Sequence, residues 1–327
     1  MGEFDLIARY FTRPVRPDGA AALGVGDDCA LLAPAPGTQL AISSDMLVEG
    51  RHFFADVDPE ALGHKALAVN LSDLAACGAR PLAFTLALSL PRVDEPWLAG
   101  FARGMWQLAD AHGCELVGGD TTQGPLNICI TVFGEVPPHQ ALLRSGARPG
   151  DDLYVSGTLG DARLALEALL GHITLPADVL ARARQRLERP TPRVALGLQL
   201  RGVASSAMDL SDGLVGDVSH ILKASGVGAV IDVDVTTNLI AASAYLSSGR
   251  GHFDAELMRR CVLSGGDDYE LAFTAPPDRR NTVAAAAAAS GTAVTRIGSV
   301  VTEPGLRLVD GQGQPVENRY ASFDHFG

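Results

Sequence analysis

Lysine is nearly missing from this chain: of 26 basic residues only Lys65 and Lys223 are lysines. Neither follows a glycine in the pattern a P-loop needs, and the lysine and H-R-D loop of a protein kinase are missing as well. Cysteine is sparse and unpaired by spacing. Cys29, Cys77, Cys114, Cys129 and Cys261 form no CxxC pair and are odd in number, which points away from a disulfide framework or zinc site and toward a reducing cytoplasm. No apolar run is long enough to span a bilayer, and the opening MGEFDLIARYF carries acids where a signal peptide has a basic segment. Positive charge is short overall. A formal net charge of -12 argues against nucleic acid and anionic membrane as partners, because both require clustered Lys and Arg.

What is there is a globular composition, 47% hydrophobic and 20% charged over 327 residues, long enough for two α/β domains. The stretch 65–79, KALAVNLSDLAACGA, reads as a helix that is apolar or small on nearly every face and therefore buried. It nevertheless carries Asp73, whose helical neighbours are Val69, Asn70, Ala76 and Cys77. A buried, unpaired carboxylate costs several kcal/mol or gives up its charge. Two readings stay open for it: a bound metal ion, or a cap in which Ser72 or Asp73 begins a second short helix at the solvent edge.

Other carboxylates repeat the theme of a strand ending in small residues plus aspartate. GVGDDCALL (24–32) places Asp27 and Asp28 in a glycine turn, which would repel a phosphate unless a divalent cation intervened. An alternating strand from Gln39 delivers Ser43, Ser44 and Asp45, hard oxygen donors suited to Mg²⁺. A short strand, 114–117, is expected to end in Gly118-Gly119-Asp120-Thr121-Thr122, where glycine lets the backbone approach a ligand. Residues 147–151, Ala-Arg-Pro-Gly-Asp, have turn chemistry and mark the expected boundary between domains 1–149 and 150–327. In the second half, Asp209 and Asp212 flank Ser211 at a strand-to-helix junction, and 264–271 reads SGGDDYEL before a strand. The arginines of 180–200 read as a solvated face. Six carboxylates, Asp28, Asp45, Asp73, Asp120, Asp209 and Asp212, are enough for several Mg²⁺ ions, each taking one or two of them plus water and substrate phosphates. A polyphosphate is the matching ligand, with Arg144 as an anion contact.

GVGDDCALL, SSDMLVEGRHF, NLSDLAACGA, GGDTTQG, RSGARPGD, MDLSDGL and SGGDDYEL, in this order, resemble the thiamine-monophosphate kinases of the aminoimidazole ribonucleotide synthetase and selenophosphate synthetase superfamily, and the resemblance runs from Glu3 to Phe326. The resemblance implies an α/β (α+β) chain of two domains, with the N-terminal domain sheet pairing across a homodimer, a C-terminal α/β domain and nucleotide between domains. It implies ATP-dependent conversion of thiamine monophosphate to thiamine diphosphate by direct in-line transfer with several Mg²⁺ ions and no general base. By motif the metal ligands are Asp28, Ser43, Ser44, Asp45, Asp73, Asp120, Asp209 and Asp212. Gly119, Asp120, Arg144 and Ser211 contact ATP, and His52, Asp267 and Tyr320 contact thiamine monophosphate. Two departures from the family pattern stand out. Asp267 takes the place of the usual Glu, and Tyr320, or alternatively Phe323, takes that of a stacking Trp; packing is the competing role for both aromatics. The alternatives are another ATP-dependent member of the superfamily, or a non-catalytic Mg-nucleotide-binding protein. The first lacks support at Cys29, which lies inside the metal motif and not in a reactive N-terminal segment.

Overall fold

The computed structural model describes residues 2–241 and 254–320 and divides into two units. One comprises Met1–Leu74 and Ala79–Ala141; the other comprises Ala75–Gly78 and Leu142–Gly327. That division places the Arg148-Pro149-Gly150 turn inside the second unit.

The first unit is a four-stranded sheet covered on one face by two helices. Its strands are β3 (Gln39–Val48), β4 (Arg80–Leu90), β5 (Glu115–Gln123) and β6 (Asn127–Val136), in the order β3-β6-β4-β5. β6 is antiparallel to both neighbours, while β4 and β5 are parallel and joined through a helix. A short hairpin-like pair, β1 (Ala21–Leu23) and β2 (Leu31–Leu32), brackets the Asp27-Asp28 turn. The covering helices are α2 (Pro59–Ala76) and α3 (Glu95–His112), preceded by a short α1 (Glu3–Leu6) that continues as a π-turn to Phe11. Asp58 caps α2 by accepting from the Glu60 and Ala61 N–H groups, and Pro59 occupies the first turn, where its missing N–H is not needed.

The run 65–79 is buried as its composition requires. Leu67, Ala68, Leu71 and Ala75 have no exposure, and Ser72 is equally closed off. Ser72 and Asp73 lie inside one continuous helix, so the capping alternative for Asp73 falls away. The helices α2 and α3 touch backbone to backbone: a Cβ on Gly63 would lie 1.9 Å from the Phe101 carbonyl oxygen, and one on Gly104 would lie 1.8 Å from that of Glu60. On the sheet, β3 buries one face and exposes the other. Leu40, Ile42 and Met46 are 46%, 61% and 52% exposed.

The second unit is built on a seven-stranded sheet: β7 (Asp152–Ser156), β8 (Ser206–Leu210), β9 (Gly228–Asp232), β10 (Glu270–Ala275), β11 (Val294–Val301), β12 (Gly305–Val309) and β13 (Pro315–Val316). The order is β13-β12-β9-β11-β7-β10-β8, antiparallel throughout except for β12 beside β9. Among the described residues seven helices flank it: α4 (Asp161–Leu169), α5 (Ala177–Glu188), α6 (Val194–Leu200), α7 (Leu214–Ser225), α8 (Val233–Thr237), α9 (Ala255–Ser264) and α10 (Arg280–Ser290). Gly291 closes α10 in the left-handed region. The basic run across α5 and α6 is not uniformly solvated. Arg182 and Arg184 pair on the surface with Asp178 and Glu188, but Arg186 and Arg193 turn inward onto Glu270, which has no exposure. A buried carboxylate must be neutralised, and two guanidinium groups do so.

At the start of β7 the buried Asp152 accepts from Arg280 (2.6 and 2.9 Å) and Arg296. The hydrogen bond from Arg280 is the main reason that its carboxyl is held below the ordinary aspartate value. A depressed folded-state pKa contributes stability that is complete above the unfolded value of about 3.9 and is lost as pH falls through the folded one. Asp152→Asn should therefore cost about 1–3 kcal/mol at neutral pH and flatten the acid limb of stability measured by urea unfolding between pH 6 and pH 3.

Candidate active site

In the first unit the expected residues gather in two places. The first is a cavity of about 610 Å³. Its lining includes Asp27, Asp28, Gly118, Gly119, Asp120 and Thr121, with Phe4, Ile7, Phe11 and Leu86 adding apolar surface. Asp27 and Asp28 are held in their turn by the Asp28 N–H donating to the Asp27 carboxylate at 2.8 Å. The G-G-D-T segment does not follow a strand end. It is part of β5, paired in parallel with β4 as far as Gln123 opposite Leu90. A β-bulge at Val117, where Phe84 faces Leu116 and Thr85 faces Gly118, resets the register just before it. Gly119 has φ 144°, and a Cβ there would lie 1.8 Å from the Leu86 carbonyl oxygen, so the chain admits only glycine beside this cavity.

The second gathering is where β3 meets α2. Ser43 Oγ donates to Asp73 Oδ2, and the fully buried Asn70 accepts from the Asp45 N–H at 3.0 Å while donating to the Ala66 carbonyl. Alternation along β3 sends Ser43 and Asp45 toward the helix and leaves Ser44 on the open face, where it donates to the Ile130 carbonyl at 3.1 Å. His52, in the loop after β3, accepts from the Val48 N–H through Nδ1 at 3.0 Å. The neutral ring therefore carries its proton on Nε2.

In the second unit, Asp209 is the buried last residue but one of β8, and Ser211-Asp212 begins the turn into α7. Asp217, one turn into that helix, accepts from the Asp212 and Gly213 N–H groups at 3.0 and 3.1 Å. Burial pushes the Asp217 carboxyl up to about 7. The turn that carries Asp267 is laced to the same segment: the Asp267 N–H donates to the Ser211 carbonyl and the Tyr269 N–H to that of Leu210, both at 2.8 Å. Arg144 is exposed on a loop fastened by Ser225, whose hydroxyl accepts from the Gly146 and Ala147 N–H groups at 3.1 Å. Tyr320 is packed in the core cluster of this unit with its hydroxyl facing Glu256 at 3.4 Å, the packing role set beside stacking at the outset. Phe323 lies outside the described residues.

Sequence reasoning missed Asp217, the Asn70 contact and the apolar wall supplied by Phe4, Ile7 and Phe11. An acid one turn into a helix behind S-D-G was the available signal for Asp217; the wall had none.

The donors decide whether a divalent cation suits these residues. They are carboxylates and hydroxyls only, and among the described residues no three His, Cys, Asp or Glu side chains gather closely enough to cage a metal alone. Carboxylates in ones and twos with hydroxyl neighbours are what Mg²⁺ takes when water and phosphate oxygens complete its shell, so the residues fit.

Residues 26–136 match the N-terminal domain model of AIR synthase related proteins, and residues 148–311 match the C-terminal one. These two matched domains, the mixed sheets and the oxygen-lined cavity place the chain in the AIR synthase related family. Within that family it is 46% identical over 327 residues to the thiamine-monophosphate kinase of Salmonella typhimurium, covering 99% of this chain and 98% of the relative. The crystal structure of thiamine-monophosphate kinase from Stenotrophomonas maltophilia aligns at TM-score 0.82 and 44% identity, over 92% of this chain and 93% of that one. A solved complex described as AaThiL with AMPPCP and TMP aligns at 0.76 and 32%, over 90% and 89%. The chain belongs to the thiamine-monophosphate kinases, and it is an enzyme of the kinase class. Hydrogenase maturation protein HypE, at TM-score 0.76 and 21% identity, shares the fold.

Gly119→Ala should lower stability by about 2 kcal/mol or more, because both the positive φ and the Leu86 carbonyl oppose a side chain. Calorimetry would register this as a fall in Tm accompanied by weakened binding of an ATP analogue.

Proposed function

We propose that this chain transfers the γ-phosphoryl group of ATP to the phosphate of thiamine monophosphate in one in-line step, giving thiamine diphosphate and ADP in the cytoplasm. The observation that carries the reading is the cavity lined by Asp27, Asp28, Gly119 and Asp120 in a chain belonging to this family. The nucleophile is a phosphate oxygen, and a phosphomonoester with a second pKa near about 6 is already mostly dianionic at neutral pH. No side-chain base is then required. The obstacle is repulsion between two anions, so the protein's task is to bind, orient and neutralise.

Asp28, Ser43, Ser44, Asp45, Asp73 and Asp120 of the first unit, with Asp209 and Asp212 of the second, would hold Mg²⁺. The ions, when bound, supply the positive charge that lysine supplies in other kinases. Gly119 brings main chain close to the nucleotide, with Asp120, Ser211 and Arg144 as further contacts. Asp217 holds the Ser211–Gly213 turn in shape through its two accepted hydrogen bonds. His52 offers its Nε2 proton to thiamine monophosphate and Asp267 accepts from it; being one methylene shorter than Glu, Asp267 reaches less far and favours a bridging water. Tyr320 is the described aromatic available for stacking if its packing loosens when substrate binds.

A homodimer formed through the open face of the first unit's sheet is part of the same proposal, and the apolar side chains on that face support it. β3 is a ten-residue edge strand carrying Leu40, Ile42 and Met46 outward, a surface that a second copy would cover. Ile42→Asp should shift sedimentation from dimer to monomer, whereas an unchanged dimer would place the interface elsewhere.

The function is tested by incubating the protein with ATP and Mg²⁺ and either thiamine monophosphate or free thiamine, following ADP and product. Diphosphate formed from the monophosphate alone is the expected result; nucleotide binding without product would leave a Mg-nucleotide-binding protein. Asp73→Asn should reduce turnover by at least about 100-fold with Tm little changed, and a near-normal rate would remove Asp73 from the site.

A further inference from the structure

The turn at 264–269 holds two non-glycine residues in the left-handed region, Asp267 at φ 59° and Tyr269 at φ 50°, either side of Asp268. Such conformations are strained for residues that carry a side chain and persist only where neighbours enforce them. Asp268, 3% exposed, is pinned at both ends. Its carboxylate accepts from the Gly160 N–H at 2.8 Å, and its carbonyl accepts from Arg186 Nη2 at 3.1 Å. The same Arg186 nitrogen reaches Glu270 Oε1 at 2.6 Å.

Glu270 does not depend on Arg186 alone. Arg193 Nε donates to its other oxygen at 2.6 Å, and Ser156 Oγ adds a further hydrogen bond at 2.5 Å while accepting from the Leu271 N–H. Its buried charge therefore stays compensated when Arg186 is altered. What Arg186 alone supplies in this group is the link from that anchored carboxylate to the carbonyl next to Asp267. The two protons of that one amino group serve both acceptors at once; a lysine ammonium has protons for both but ends one atom shorter, and a glutamine amide reaches less far still and brings no charge.

We propose that Arg186 is a positioning residue for Asp267: by gripping the Asp268 carbonyl it holds the left-handed turn and so sets the affinity for thiamine monophosphate. The inference rests on the reading of Asp267 as a contact to that substrate. It assigns the role to α5, a helix outside every motif that identifies the family.

The test is steady-state kinetics of full-length Arg186→Lys, Arg186→Gln and Asp267→Asn, varying ATP and thiamine monophosphate separately, with Tm measured for each. The expected result is a KM for thiamine monophosphate raised by about tenfold in Arg186→Gln, less in Arg186→Lys, with KM for ATP within about twofold and kcat reduced less than kcat/KM. Asp267→Asn should raise the same KM. If Asp267→Asn does so and both Arg186 variants leave it unchanged, the positioning role is overturned while the substrate reading stands. If Asp267→Asn leaves that KM unchanged, the substrate reading fails and takes the inference with it. Parallel increases in both KM values, or failure of both Arg186 variants to fold, would make Arg186 a support of the core and overturn the proposal.

Discussion

Like charges repel, and the cavity of the first unit gathers the exposed carboxylates Asp27, Asp28 and Asp120 in its lining. A polyphosphate entering it would add further negative charge in a chain of net charge -12 with two lysines. Carboxylate and phosphate can share a site only with cations between them, and this constraint organises the rest. Oxygen donors must stand at strand ends and bulges, the backbone must come close, and side chains must be small. The Val117 bulge, Gly119 and the Asp27-Asp28 turn each meet one of those demands. The same net charge that argues against nucleic acid suits the metal-bridged nucleotide proposed above.

A second demand is that polar groups carried into the core be satisfied. Helix α2 carries Asn70, Ser72 and Asp73 through an otherwise apolar layer. Asn70 spends its acceptor on the Asp45 main chain and its donor on Ala66, and Asp73 receives the Ser43 hydroxyl. These contacts fix strand and helix together at the residues proposed to hold the metal, so the geometry there is inherited from the core and not from a loop. In the second unit the logic is repeated with different means. Asp217 shapes the Ser211–Gly213 turn, and Arg186, Arg193 and Ser156 anchor Glu270 behind the Asp267 turn.

Local chemistry was legible in the sequence. A helix without a polar face had to be buried, the alternation of 39–48 had to be a strand, and seven short motifs in order carried the family. Contacts made over long separations were not. Arg186 stands on an ordinary basic helix face, and its distant partners Asp268 and Glu270, 82 and 84 residues away, distinguish it from the solvated Arg182 and Arg184. The G-G-D-T segment reads locally as a turn, yet pairing with β4 extends it as strand. Tyr320 aligned with a stacking aromatic, whereas tertiary packing gave it neighbours in the core. Pattern reports what a residue prefers alone; burial and distant partners decide among its preferences.

The proposed bridging of carboxylates and nucleotide by divalent cations can be checked through the affinity of the protein for a non-hydrolysable ATP analogue, measured by calorimetry at matched ionic strength with Mg²⁺ and then with chelator. Binding should weaken by at least about tenfold in chelator. Equal affinity in both would mean that the aspartates do not face the phosphates.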